Sequence, residues 1–125
     1  VIPQDRTIPA GAGTAAERLA ASPRHAEWVK VEVPGMDSIM AWVVYPERRN
    51  NAPVVVVIHE IFGLSTWVRG VADQAAADGF IAIAPDLLSI VRGGATTTEI
   101  NPDTARALIR NVTPDLMSKM VAAVG

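Results

Sequence analysis

The chain contains no cysteine. Disulfide bonds, thiolate metal sites and a cysteine nucleophile are therefore excluded within these 125 residues, although this absence does not identify the compartment. No apolar stretch approaches the roughly 20 residues that a bilayer span needs, so we expect a soluble protein without a membrane partner. The formal net charge of −2 provides no basic surface for phosphates and argues against nucleic-acid binding.

Several short motifs that carry chemistry are also missing. The elbow G-x-S-x-G or G-x-C-x-G, which exposes a nucleophile between a strand and a helix, does not occur. Neither the dinucleotide fingerprint G-x-G-x-x-G after a strand nor a P-loop is present. His25 and His59 are too far apart in sequence for a metal-binding pair such as H-E-x-x-H. Ser65 lacks the elbow glycine that would follow a nucleophile and is interpreted as a helix cap.

The composition indicates one globular domain with an arm in front of it. Half of the residues are hydrophobic and 19% are charged, a balance typical of a folded chain. Residues 1–25 are rich in Ala, Pro, Gly and Thr and predict an irregular arm, with a helix-compatible piece at 14–21. Because the chain begins at Val1, either a cleaved secretory signal or a trimmed sequence is expected, which leaves secretion and the periplasm open.

The most informative segment is the apolar run at residues 54–58, which ends at His59-Glu60 and the glycine turn at Gly63. Five β-branched residues in a row are typical of a strand that is buried on both faces of a parallel sheet. Polar groups at the carboxyl end of such a strand lie where α/β proteins place their active sites. The run therefore predicts an active-site edge.

The surrounding segments predict an α/β fold. Alternating residues 28–33 and the apolar segment 39–45 flank Pro34-Gly35 and predict an antiparallel hairpin. Residues 66–78 have the apolar periodicity of a helix, and a second short apolar strand follows at 80–84. Together with the run at 54–58, these segments predict a right-handed βαβ unit.

The last part of the chain predicts a loop followed by two helices. Residues 87–100 contain a glycine pair and a threonine triplet and resemble a loop with little to pack. Asn101-Pro102 and Thr113-Pro114 each combine a cap residue with proline at the first helical position. The second helix is expected to present one apolar face, made by Leu116, Met117, Met120, Val121 and Val124.

His59 and Glu60 have two interpretations. In the structural one, the histidine is hydrogen-bonded to the backbone at the strand end, and the glutamate pairs with Arg69 or Arg92. In the functional one, the turn from Glu60 to Gly63 presents backbone N–H groups to a developing oxyanion. The residues alone leave both open.

Three segments together resemble the dienelactone hydrolase family: VVVVIHEIFG at 54–63, Trp67-Val68-Arg69, and GFIAIAPDL at 79–87. The resemblance covers roughly residues 26–125. Members are α/β-hydrolases that cleave lactones and other carboxylic esters with a Cys-His-Asp triad, or with Ser in place of Cys. The resemblance implies that Glu60 interacts with the nucleophile and that the backbone N–H of Ile61 is half of the oxyanion hole. It implies no metal or organic cofactor.

The resemblance also implies that the chain is the N-terminal half of an α/β-hydrolase domain. All three triad residues would lie in a C-terminal half, in the same polypeptide or in a second chain, and residues 1–125 alone should be inactive. Without that half the sheet is incomplete, and the strand at 54–58 becomes an open edge. The expected substrate is a small ester or lactone.

The sequence gives fewer indications of which residues contact the substrate than of the oxyanion hole. The family places a carboxylate-binding arginine four residues after the aspartate of P-D-L, and this chain has Ile90 there. Arg92 is the candidate replacement, with a solvated loop arginine as the alternative, and His59 is a second candidate contact. A non-catalytic hydrolase-fold module used for binding or structure would share all of these features. A nucleotide-binding domain is disfavoured by the missing glycine fingerprints.

Overall fold

The computed structural model describes residues 5–48, 50–96 and 99–125, which form a mixed α/β arrangement around one sheet. The described strands are β1 (Ala26–Val31), β2 (Ile39–Val44), β3 (Val54–Val56) and β4 (Ile81–Asp86), in the spatial order β1-β2-β4-β3. The helices are α1 (Ala15–Ala20), α2 (Thr66–Ala77), α3 (Ser89–Arg92), α4 (Pro102–Ile109) and α5 (Pro114–Val124). Within these ranges, no helix has the length and apolar character needed to cross a bilayer.

The predicted hairpin and βαβ unit are both confirmed. Strands β1 and β2 pair antiparallel, with Trp28 opposite Trp42, and β3 pairs parallel with β4. An antiparallel pairing of β2 with β4 joins the two units into one sheet. Helix α2 connects β3 to β4, starts after the cap Ser65 and ends just before Gly79, whose φ of 102° suits glycine.

The two faces of the sheet are covered by different helices. Alternation along β2 sends Trp42 and Val44 to the face that α2 covers, and Ile39 to the opposite face. On that opposite face, Met120 of α5 is fully buried among apolar neighbours. Both proline-initiated helices begin as predicted, since the side chains of Asn101 and Thr113 accept N–H bonds from the first turns. Met117 was predicted to belong to the apolar face of α5, but 36% of its surface is exposed.

The apolar run differs from its prediction. Strand β3 is three residues long, and Val54 and Ile58 are 61% and 50% exposed, so the run is not buried on both faces. The physical reason is that β3 is the last strand of the described sheet and has β4 as its neighbour on one side. Burial of both faces requires cover that the described residues do not supply. The predicted open edge is confirmed.

The segment at 87–100 is also more ordered than predicted. It contains the short helix α3, and Leu87, Leu88 and Thr96 are at most 1% exposed. Local composition suggested a loop, whereas the burial comes from contacts with distant parts of the chain. Thr97 and Thr98, which belonged to that prediction, lie outside the described residues.

The predicted N-terminal arm is partly helical. Helix α1 falls inside the helix-compatible piece and packs against α2. Arg18 of α1 donates to the carbonyl oxygens of Arg6 and Ile8 and to the side chain of Gln74 on α2. The Arg18 side chain therefore links the arm to α2 and also donates hydrogen bonds to the arm's own backbone. The boundary at residue 25 stays a prediction.

Candidate functional site

The segment from Glu60 to Gly63 forms a tight turn directly after β3. The Gly63 N–H donates to the Glu60 carbonyl oxygen at 3.2 Å, which closes the turn. Gly63 has a φ of +74°, and no described non-glycine residue has a positive φ. Negative φ values at the two central residues and glycine at the last position are typical of a type I β-turn.

The backbone N–H groups of this turn are not equivalent. Gly63 donates to the Glu60 carbonyl, and Phe62 donates to Oε2 of the Glu60 carboxylate at 3.0 Å. The Ile61 N–H has no acceptor among the described residues, and 39% of the Ile61 surface is exposed. The Glu60 N–H likewise has no acceptor among the described residues, so that part of the chain leaves two donors of the turn without a partner, of which Ile61 is the one that the resemblance names.

The Glu60 side chain is exposed and turns back onto its own backbone. Its Oε2 atom is occupied by the Phe62 N–H, whereas Oε1 accepts no hydrogen bond from the described part of the chain. Arg69 forms no ion pair with Glu60 in the described part of the chain, so the structural alternative does not hold for that arginine.

His59 is bonded to the backbone through both ring nitrogens. Nε2 accepts the Leu87 N–H at 2.9 Å, which places the proton on Nδ1, and Nδ1 then donates to the Glu60 carbonyl oxygen. Only 9% of the His59 surface is exposed. This is the structural interpretation of His59: the imidazole ties the end of β3 to the segment that follows β4. A substrate contact would have to displace one of these bonds.

We expect the His59 bond to Leu87 to contribute to stability. His59→Phe keeps a ring but leaves the buried Leu87 N–H without an acceptor, which should lower the free energy of unfolding by about 1–3 kcal/mol. His59→Gln is the matched control, because its amide oxygen can reach the Nε2 position. Denaturant unfolding of both variants measures the difference, and equal stabilities would contradict the assignment.

Asp86 is a site residue that sequence reasoning missed. Its side chain is fully buried, with Oδ1 accepting the Leu88 N–H and Oδ2 accepting the Thr96 N–H. Ser89 donates its hydroxyl to the Asp86 carbonyl oxygen at 2.7 Å. The available signal was an aspartate at a strand end, where its side chain commonly accepts the N–H two residues on. The bond to Thr96 spans ten residues and has no local signature.

Thr96 in turn packs against the glycine of the turn. A Cβ atom added to Gly63 would lie 2.8 Å from Thr96 Oγ1 and 3.3 Å from a Leu88 methyl carbon. The close approach needs glycine for its size as well as for its φ. Asp86 thus holds Thr96, and Thr96 contacts the turn. The E-I-F-G segment (60–63) and the P-D-L segment (85–87) are therefore joined through Thr96.

Arg92 lies in the last turn of α3, and Ile90 packs against the cluster that contains Leu87 and Met120. Residues two positions apart in a helix are separated by about 200° around its axis. Arg92 therefore does not point in the same direction as Ile90. The substrate role of Arg92 stays a prediction. In the described ranges, no group of three or more His, Asp or Glu side chains is arranged to hold a metal ion.

Comparison with known proteins gives a consistent family. The model of the dienelactone hydrolase family matches residues 39–124. The chain is 36% identical over 91 residues to the Escherichia coli K12 protein "Putative hydrolase fragment YghX", an alignment that covers 71% of this chain and 74% of that protein. It is 41% identical over 59 residues to a "Putative carboxymethylenebutenolidase" of Azospirillum brasilense, covering 46% of this chain and 26% of that protein.

The fold has a solved counterpart. A Klebsiella pneumoniae crystal structure described as a "Putative Dienelactone Hydrolase" superposes with a TM-score of 0.62 at 23% identity, covering 80% of this chain and 42% of that one. This likeness shows the α/β-hydrolase fold, and the chain spans less than half the length of that solved chain. Because the family model matches well over half of the chain, the chain belongs to the dienelactone hydrolase family.

Proposed function

We propose that this chain supplies the oxyanion side of a carboxylic ester or lactone hydrolase whose nucleophile, His and Asp lie in a C-terminal half. The observation that carries the proposal is the Ile61 N–H, a backbone donor that has no acceptor among residues 5–48, 50–96 and 99–125, on a turn at the carboxyl end of β3. Family membership supports hydrolysis in general. The names of the carboxymethylenebutenolidases support a lactone-type substrate.

In the proposed mechanism, a downstream Cys or Ser attacks the ester carbonyl carbon, and a downstream His-Asp pair takes and returns the proton. The carbonyl oxygen becomes negatively charged in the tetrahedral intermediate. The Ile61 N–H donates to that oxygen as the charge develops. Such a donor is most effective when it is already in place, and the bonds of His59, Asp86 and Gly63 hold the turn before substrate arrives.

Glu60 is proposed to contact the nucleophile. Its carboxylate has one oxygen occupied by the Phe62 N–H and one without a donor among the described residues. That second oxygen, Oε1, can accept the O–H or S–H of a nucleophile brought next to β3. The bond from Phe62 limits the conformations of the side chain, which keeps the free oxygen near the turn.

The open edge of β3 is the proposed docking site of the C-terminal half. Val54, Ile58 and Phe80 are 61%, 50% and 38% exposed, values that are high for residues in and beside a strand of a parallel pair. A strand carrying the nucleophile would pair with β3, satisfy its free backbone groups and cover these side chains. The partner would belong to the same polypeptide or to a second chain.

Sequence and activity of the complete protein test the proposed function. A G-x-[CS]-x-G elbow should follow within roughly 30 residues of Gly125, and the complete protein should hydrolyse a short-chain aryl ester. Replacing the elbow Cys or Ser with Ala should abolish that hydrolysis. Unchanged turnover in this variant, or absence of any elbow, would reject the esterase and leave a non-catalytic hydrolase-fold module.

The fragment itself gives a second prediction. Residues 1–125 expressed alone should aggregate through the β3 edge and should not hydrolyse the ester. Val54→Lys places a charge on that edge and should increase the soluble fraction, because charged edge strands resist edge-to-edge pairing. Ala107→Lys, at an exposed position of α4, adds the same charge elsewhere as the control. Sedimentation measures both, and a soluble, cooperatively unfolding monomer would contradict the prediction.

A further inference from the structure

The turn from Glu60 to Gly63 is joined closely to helix α2. Only Leu64 and Ser65 separate the turn from the helix, and Leu64 is fully buried. The Ser65 N–H donates to the Gly63 carbonyl oxygen at 2.8 Å, and the Ser65 hydroxyl oxygen accepts the Val68 N–H at 3.4 Å. A displacement of the start of α2 would therefore move the turn as well.

A carboxylate from a distant part of the chain binds the start of α2. Oε1 of Glu99 accepts the Thr66 N–H at 2.8 Å. The first backbone N–H groups of a helix have no acceptor within the helix, and their partial positive charge favours a carboxylate there. The first turn of α2 contains no acidic residue of its own. Glu99, which lies 33 residues further along the chain, supplies this group.

The Glu99 carboxylate also interacts favourably with Arg69 of α2. The Arg69 guanidinium carbon lies 6.0 Å from the centre of the Trp28 ring and 5.6 Å from that of Trp42. Burial lowers the pKa of Arg69, and the charge of Glu99 opposes that shift. Among the described residues no carboxylate forms an ion pair with Arg69, and a cation near a helix N-terminus is unfavourable. The charge of Glu99 therefore offsets both the helix end and this arginine.

The segment that carries Glu99 contacts the turn at a second point. Earlier in this segment, Thr96 lies against Gly63, and its N–H donates to the buried Asp86 carboxylate. The two contacts fall on either side of the junction between the turn and α2, with Thr96 at Gly63 and Glu99 at Thr66. Residues that follow β4 therefore hold the backbone at both ends of this junction.

We infer that Glu99 is a positioning residue for the oxyanion donor, the Ile61 N–H. Its carboxylate fixes the first residue of α2, and the bonds of Ser65 pass this constraint to Gly63 and so to the direction of the Ile61 N–H. Glu99 acts through Thr66 and not on the reacting atoms. The inference rests on the proposed function, because it requires the Ile61 N–H to bind the developing oxyanion.

Replacement of Glu99 in the complete protein tests this role. Glu99→Ala removes the acceptor of the Thr66 N–H and should lower kcat for an aryl ester roughly tenfold, because the Ile61 donor remains but is less well aligned. KM should stay nearly unchanged, since this donor stabilises the transition state more than the bound substrate. Glu99→Gln keeps an oxygen acceptor at the same position and should retain most of the kcat.

A second variant removes the same hydrogen bond from the other side. Thr66 is the first residue of α2, a position that favours proline, and Ser65 before it is extended, with a ψ of 164°, as a residue before proline should be. Thr66→Pro should therefore lower kcat by about the same factor as Glu99→Ala, and it provides the measurement should Glu99→Ala fold poorly. The double variant should lower kcat no further, since both changes break one bond.

Asp115→Ala is the matched control. Asp115 is the acidic residue in the first turn of α5, which packs on the opposite face of the sheet, so its replacement should leave kcat unchanged.

Four results would overturn the inference: unchanged kcat in Glu99→Ala and Thr66→Pro, a change confined to KM, equal losses in Glu99→Gln and Glu99→Ala, or losses that multiply in the double variant. Ile61→Pro, which removes the donor itself, separates this failure from that of the proposed function. A large loss of kcat in Ile61→Pro beside any of the four results would leave the proposed function standing, whereas normal turnover in a folded Ile61→Pro variant would reject both.

Discussion

Gly63→Ala should destabilise the protein by about 2–5 kcal/mol. A φ of +74° is unfavourable for alanine by roughly 1–2 kcal/mol. The new methyl would also lie 2.8 Å from Thr96 Oγ1, and overpacking of this kind costs about 1–3 kcal/mol more. Denaturant unfolding measures the sum. In the complete enzyme we also expect ester hydrolysis to fall, because the turn must shift to admit the methyl.

Gly35→Ala is the matched control for this prediction. Gly35 has a similar φ of +80°, but nothing lies within 4 Å of the Cβ position, so the backbone cost appears there without the collision. Combining Gly63→Ala with Thr96→Ala removes the threonine atoms nearest the new methyl and should recover part of the loss. Equal effects at Gly63 and Gly35, or strict additivity in the double variant, would show that Thr96 does not constrain the turn.

Ile61→Pro should lower kcat of the complete enzyme by roughly 10²- to 10³-fold, the effect of losing one oxyanion donor. Proline has no N–H, and it is favoured at the second position of a type I turn, which Ile61 occupies. Because the Ile61 N–H donates to no described residue, its removal should leave stability nearly unchanged. Steady-state hydrolysis of an aryl ester, measured beside thermal unfolding, separates the two effects.

Ile61→Ala is the control for the side chain. It keeps the backbone donor and removes most of the exposed apolar surface, so kcat should stay within a few-fold of the parent value. A folded Ile61→Pro variant with normal turnover would reject the oxyanion role. Equal losses of kcat in both variants would instead assign the effect to the side chain.

The elements that could be predicted from sequence are those specified by nearby residues. Helices α4 and α5 start at an Asn-Pro and a Thr-Pro pair, and the caps form the bonds that these pairs predict. Helix α2 has both an apolar period and a cap at Ser65. Pairing of β3 with β4 followed from the βαβ spacing. For the helices the signal lies within one or two turns of the element, and for the strand pair it lies within one βαβ unit.

The wrong predictions concern contacts between distant residues. The exposure of β3 depends on which strand lies beside it, and five β-branched residues do not reveal that the described chain lacks one neighbour. The segment after β4 is ordered because Asp86 accepts the N–H of Thr96. Similarly, the hydrogen bond from Leu87 N–H to His59 Nε2 joins residues that are remote in sequence, and the substrate-binding role of His59 stays a prediction.

For the candidate site, the sequence predicted a glycine turn after the apolar run but not the contacts that hold this turn. Glu60 and Ile61 were named through a family resemblance, and their geometry is compatible with the roles proposed for them. The supporting contacts join the two segments that carried the resemblance, E-I-F-G and P-D-L. Their joint presence in one chain thus has a physical explanation, since Gly63 admits Thr96 and Asp86 holds it.

The proposed oxyanion donor can be observed in a crystal structure of the complete protein whose nucleophile is covalently bound to a tetrahedral ester analogue. We predict that the analogue's oxyanion oxygen lies about 2.7–3.1 Å from the Ile61 backbone nitrogen, with the turn in the geometry described above. An oxygen placed away from Ile61, or bound only by donors elsewhere in the protein, would contradict the oxyanion role of the Ile61 N–H.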